Sequence, residues 1–124
     1  MIRVFKMLSF KELNVWQRAV RLTVVLYKTL QKFPETERFG LTSQIQRAAV
    51  SISANIAEGW GRGSTKEYIQ FLYIARGSLM ELETHLIIAQ QLNYINNDQL
   101  DQFGKDIEDI AKMLNRLIKT LKDK

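Results

Sequence analysis

Few residues in this chain have the types and spacing for chemistry. Ser51, Ser53 and Ser78 are candidate nucleophiles, but His85 is the single histidine and so the only imidazole base any of them could use. No oxyanion turn accompanies them, so a hydrolase is not expected. Glu81 and His85 lie one helical turn apart and could share a metal with Glu58. A di-iron bundle, however, takes Glu-x-x-His pairs from two helices plus two further glutamates, and no such pair exists here. The loop Gly59-Trp-Gly-Arg-Gly63-Ser-Thr65 invites a phosphate-loop reading. It lacks the lysine of that motif and follows a helical pattern, where a phosphate loop follows a strand, so it reads as an interhelical turn. With no cysteine there is no disulfide framework, thiolate metal site or cysteine nucleophile. No catalytic residue, metal or cofactor is expected.

The stretch Leu41 to Thr65 carries a different signal. Leu41, Ile45, Ala48, Ile52 and Ile56 recur every three or four residues and share one helical face. Arg47, Ser51, Asn55 and Glu58 form a polar stripe beside it, and no charge occurs between Arg47 and Glu58. Such a charge-poor helix is expected to be central and mostly buried. Its polar stripe has two readings: a functional pocket, or a structural network in which Arg47 pairs with Glu58, Glu81 or Glu83 and fixes helix register. The structural reading is preferred, because an unpaired buried charge costs several kcal/mol. Removing Arg47 or Glu58 should then cost about 3–5 kcal/mol.

The remaining elements read as helices as well. A first helix over 13–32 has a seam of Leu13, Trp16, Val20, Thr23, Tyr27 and Leu30, widened by Leu22, Leu26 and Phe33. Pro34 stops it, and 35–40 forms a connector after which Thr42 or Ser43 can cap the second helix. Ser64 with Glu67 and Asn96 with Gln99 are capping boxes that open the third and fourth helices. The third helix has the regular seam Tyr68, Leu72, Ala75, Leu79, Leu82, Leu86 and Ala89. Beside it runs a second apolar set, Ile69, Tyr73, Met80, Ile87 and Ile88. Asn93 suits the left-handed residue that ends it. Leu100, Phe103, Ile107, Ile110, Leu114, Leu117 and Leu121 give the seam of the fourth.

Four helices joined by short links make an all-α, antiparallel up-down-up-down four-helix bundle in a single domain, 1–124, with 1–8 a loose extension. The apolar content of 46%, one proline and six glycines agree with that class. No run of about 18 apolar residues is present, so no membrane span is expected, and the opening MIRVFKM is too short for a signal peptide. The expected location is cytoplasmic.

The net charge of +5 is unevenly spread. Arg3, Lys6, Lys11, Arg18, Arg21, Lys28 and Lys32 face only Glu12 in the first 34 residues. Lys112, Arg116, Lys119, Lys122 and Lys124 face only Asp123 at the other terminus, and the middle is acidic. The first and last helices are neighbours in the expected bundle. Arg18, Arg21, Lys28, Lys112, Arg116, Lys119 and Lys122 should therefore merge into one positive surface suited to a phosphate backbone, RNA or DNA. A solvated face is the plainer alternative. The doubled apolar face of the third helix predicts a homo-oligomer, since a monomer would leave it in water.

Four pieces also resemble a known family. They are L-x-V-W-Q-x-A (Leu13 to Ala19), the entry Phe39 to Gln44, the run Q-I-x-R-A-A-x-S-I-x-x-N-I-A-E-G (Gln44 to Gly59), and K-E-Y-I-Q-F-L-Y-I-A-R-G-S-L-x-E-L-E-T (Lys66 to Thr84). Together they resemble the four-helix-bundle family first noticed in intervening sequences of 23S ribosomal RNA genes, to which the accessory protein of diversity-generating retroelements is distantly related. The resemblance spans about residues 9–122 and implies a homopentamer that acts on RNA with a reverse transcriptase or another protein partner. The overall expectation is a non-enzymatic, oligomeric bundle that binds nucleic acid, with a protein-interaction scaffold as the alternative.

Overall fold

Apolar residues at three- and four-residue spacing, interrupted by glycine, proline or a capping side chain, produce the helices. The computed structural model describes residues 9–124, and the expected loose extension over 1–8 lies outside them. A 3-10 turn at Phe10–Glu12 precedes α1 (Asn14–Leu30), and a second, Glu35–Glu37, precedes α2 (Leu41–Trp60). Then come α3 (Thr65–Gln91) and α4 (Asn97–Lys122), with no strand among the described residues.

Local chemistry sets the boundaries. Ser64 accepts the Glu67 N–H at the start of α3, and Asn96 with Gln99 forms a reciprocal capping box on α4. Asn93 takes the left-handed conformation (φ 63°) that ends α3. The start of α2 departs from expectation, because neither Thr42 nor Ser43 caps it. Instead the Glu37 carboxylate accepts the Leu41 N–H at 3.0 Å and the Tyr94 hydroxyl at 2.9 Å. A charged acceptor in a preceding 3-10 turn outcompetes a hydroxyl already inside the helix. These two hydrogen bonds, the backbone one first, hold the Glu37 carboxyl below its ordinary value of 4.5. A depressed folded-state pKa contributes stability above the unfolded value and loses it as pH falls through the folded one. A Glu37→Gln variant should therefore be less stable than the parent at neutral pH, and acid titration of unfolding should show the gap narrowing below pH 4.5.

Helix contacts run α1–α2, α2–α3, α3–α4 and α4–α1, with no diagonal contact, which is a square bundle. Residue pairs fix the directions. Phe10 lies 6.4 Å from Trp60 while the Thr23 hydroxyl reaches the Ala49 carbonyl, so α2 runs back along α1. Ser51 meets Ser78 while Gly59 lies against Tyr68 and Phe71, and Gln90 meets Asn97 while Arg76 meets Asn115, so each successive helix runs antiparallel. On the last side Arg18 pairs with Asp109 while Leu13 shares a depression with Leu117. The up-down-up-down order follows.

The core is one apolar cluster drawn from all four helices. The expected seam of α3 is buried along its whole length, and that of α2 is buried except for half-buried Leu41. On α4, Ile118 replaces Leu117, which is half-buried with Leu100. On α1 the seam is rotated. Val15, Ala19, Leu22, Leu26 and Leu30 are buried, whereas Trp16, Val20 and Thr23 are half-buried and Tyr27 is 41% exposed. The all-hydrocarbon side chains win the core because Tyr27 and Thr23 would bring hydroxyls needing partners. Gly59 lets α2 approach α3 closely: a Cβ there would lie 2.7 Å from the Phe71 Cβ. No helix among the described residues is long and apolar enough to cross a membrane.

Candidate nucleic-acid interface

The antiparallel packing of α1 on α4 decides which cations can act together. Arg18 is spent within the bundle: its guanidinium lies 3.2 Å from Asp109 and 3.7 Å from Asp106 on α4. From that anchor Lys28 lies ten residues further along α1, about 15 Å toward the start of α4. There α4 carries Asp98 and Asp101. Arg116 lies the opposite way, about 10 Å beyond Asp109. It borders a depression with Leu13, Asn14 and Thr120 at the beginning of α1. The acids of α4 therefore interrupt the expected surface of Arg18, Arg21, Lys28, Lys112, Arg116, Lys119 and Lys122. Arg21 and Lys28 lie toward the acidic first half of α4, while Lys112, Arg116, Lys119 and Lys122 follow Asp109 toward the start of α1.

What remains is compact. Lys112, Arg116, Lys119 and Lys122 occupy the last three turns of α4, all exposed, with no carboxylate within 4.0 Å among the described residues. Lys122 sits 5.2 Å from the Tyr73 ring centroid, and Arg76 lies 4.7 Å from the same ring while donating to Asn115 at 2.8 Å. Arg76 thus joins the surface from α3, a member that reading α1 and α4 alone did not find. Its signal was Arg76 standing three residues after Tyr73, the spacing that stacks a cation on a ring. Lys119 and Lys122 also face the negative end of the α4 dipole, which favours cations there regardless of function. Arg116 and Lys112, one and two turns further in, are not explained that way.

The polar stripe of α2 differs from expectation too. Arg47 and Glu58 are exposed, and Arg47 borders a shallow depression with Tyr27, Gln46, Val50 and Ser51. Glu58 pairs with Arg62 at 3.3 Å, one turn on, and the Glu81 carboxylate lies 3.7 Å from His85 Nε2. Glu83 faces the α3–α4 groove instead. Arg47 thus joins neither Glu58 nor Glu81 nor Glu83. The reason is geometric: eleven residues separate Arg47 from Glu58, three turns that no side chain spans. Asn55 is the member that does form a network. Its amide donates to the Ser51 carbonyl (2.8 Å) and hydroxyl (2.9 Å), and Ser51 is hydrogen-bonded to Ser78 across the α2–α3 contact at 2.9 Å. Arg47→Ala and Glu58→Ala should consequently change stability by about 0.5 kcal/mol or less in chemical denaturation, not by several.

His85 is 18% exposed at its side chain, and its Nε2 has no hydrogen-bond partner. Since Glu58 turns to Arg62, the imagined Glu58, Glu81 and His85 ligand set does not converge. No group of three or more His, Asp or Glu side chains is placed to hold a metal ion among the described residues. In the glycine loop Arg62 lies against Glu58 and Glu67 and 4.8 Å from the Phe71 ring, so its cation serves the turn.

Further along the same α3–α4 contact, toward the end of α3 and the start of α4, a groove of about 500 Å³ opens. It is lined by Leu86, Ile87, Leu100 and Ile107 and edged by Glu83, Asp101, Glu108 and Lys105.

The model of a family described as "23S rRNA-intervening sequence protein" matches residues 11–116. A solved structure from Bacteroides thetaiotaomicron, described as a protein with unknown function from the S23 ribosomal protein family, is 30% identical with a TM-score of 0.76. The alignment covers 85% of this chain and 98% of that one. No curated protein matches the sequence.

Proposed function

Because the chain belongs to the 23S rRNA-intervening sequence protein family, whose similarity gives a fold and no activity, we propose its function from the surface. It is a non-catalytic, self-associating helical bundle that binds nucleic-acid backbone through the last three turns of α4. The observation that carries this reading is the exposed group Lys112, Arg116, Lys119 and Lys122, free of carboxylates within ion-pair reach among the described residues. A surface built only for solubility would intersperse acid, as the first half of α4 does. Cations at helical spacing suit a phosphate chain, where binding comes from counterion release and needs no base reading. RNA and DNA should both bind.

Self-association is supported by the apolar surface the fold leaves outside. Ile74, Met80, Ile87 and Ile88 on α3 are 43–50% exposed, and Val50 on α2 is 44% exposed. The expected second face of α3 thus divides, with Ile69 and Tyr73 packed against the core and the rest in solvent. Five subunits is the number that the resemblance to retroelement accessory proteins suggests. That exposed apolar surface equally favours a second reading, a scaffold without nucleic acid. Light scattering and fluorescence anisotropy with generic RNA and DNA test both halves. The proposal expects a mass that is a multiple of 14.5 kDa and binding at low salt. A 14.5 kDa species at micromolar concentration would remove self-association, and assembly without binding would give the scaffold the lead.

A further inference from the structure

Phe39 is 88% exposed, whereas the other exposed large apolar side chains among the described residues lie between 41% and 50%. It is not on a loose loop. The connector that carries it is held by the Glu37 carboxylate, which is hydrogen-bonded to both Leu41 and Tyr94. The Arg38 guanidinium lies 5.3 Å from the Phe39 ring centroid and 3.5 Å from the exposed Glu35 carboxylate, so ring and cation are presented together at the surface. A rigidly presented aromatic beside an arginine is the composition of an interface anchor, because little freedom is lost when it docks.

The α3–α4 groove has the complementary features. Its floor includes Leu86 and Ile107, which are almost wholly buried, and its edge carries three acids, Glu83, Asp101 and Glu108, against one base, Lys105. Gly104 lies in it, inside α4, and a Cβ built there would meet nothing within 4 Å. A helix-interior glycine is destabilising relative to alanine, and here no neighbour of its own chain needs the space. Being 88% exposed, Phe39 does not fill the groove of its own chain.

We propose that the Arg38–Phe39 pair of one copy docks in the α3–α4 groove of a second copy, the ring over Gly104 and the guanidinium against Asp101 and Glu108. The two surfaces differ, so the contact is head-to-tail and generates a ring where its rotation closes. The inference rests on the self-association reading above and names the surfaces that perform it.

Two variants and their mixture test it by light scattering. Phe39→Ser removes an exposed side chain, and Gly104→Leu fills open space while raising helix propensity, so both should keep the parent's helical signal. Each alone should fall to a single-chain mass of 14.5 kDa. Mixed in equal amounts they should form a two-chain species and nothing larger, since one intact pair then meets one intact groove. Assembly of either variant like the parent overturns the proposal, as does a mixture that stays at single-chain mass. As an arm independent of packing, Arg38→Glu should weaken assembly and Asp101→Arg in the mixed partner should restore it; no rescue overturns the assigned pairing. A parent that is itself a single chain would instead remove the self-association reading and this inference with it, a result distinct from assembly that survives both variants.

Discussion

Gly59→Ala should destabilise the bundle by about 2–3 kcal/mol, while the same substitution at Gly77 or Gly104 should stabilise it by about 0.5–1 kcal/mol. At Gly59 the new methyl would meet the Phe71 Cβ at 2.7 Å, the Tyr68 ring at 3.1 Å and the Tyr68 carbonyl at 3.2 Å. None of these is the far end of a flexible side chain, so α2 and α3 must move apart along a largely buried contact. At Gly77 and Gly104 a Cβ meets nothing, and only the gain in helix propensity remains. A domain of this kind has about 5–15 kcal/mol in total, so Gly59→Val, with two further methyls, should leave much of the chain unfolded. Denaturant midpoints and slopes decide it. Equal effects at the three glycines would mean that α2 and α3 are not in close contact at Gly59.

The second large effect concerns binding. Replacing Lys112, Arg116, Lys119 and Lys122 with glutamine should lower affinity for RNA and DNA about 1,000-fold at low salt, taking four phosphate contacts at roughly 1 kcal/mol each. Replacing Arg21 and Lys28 should lower it far less, because the packing of α1 on α4 sets them beside acid. Arg18→Gln should leave binding intact and loosen the α1–α4 contact slightly, its ion pairs being about one-third exposed at Arg18. Helical signal and assembled mass serve as controls for the quadruple variant. Equal losses from the α1 and α4 replacements would restore a single merged surface and contradict the register described here.

How much of this was legible in the chain depends on the range of the signal. The seams of α3 and α4 were, since their apolar residues recur with little competition. So were the caps at Asn96 and Ser64 and the terminator Asn93, because these act within three or four residues. The seam of α1 was misplaced, as two apolar stripes of similar strength share that helix and tertiary packing selects between them. The α2 stripe misled for a different reason. Absence of charge between Arg47 and Glu58 reads as burial, yet Val50 and Ala54 there are exposed. The basic surface was half legible. Which residues are cations is plain, but the acids that split them, Asp106 and Asp109, lie on α4 itself and matter only once the helices are registered. Phe39 gave no sign of its exposure, since an aromatic beside a glycine reads equally well as a core residue.

The account stands most directly on the affinity of the parent chain for a generic RNA or DNA strand, measured across a range of salt concentrations. If the four cations of α4 engage phosphates, the logarithm of the binding constant should fall linearly against the logarithm of salt, with a slope of roughly −3 to −4 per subunit engaged. RNA and DNA of unrelated sequence should give nearly the same line. A slope near zero, or no binding at low salt by a chain that is folded and assembled, would contradict the claim and leave α4 as a solvated face.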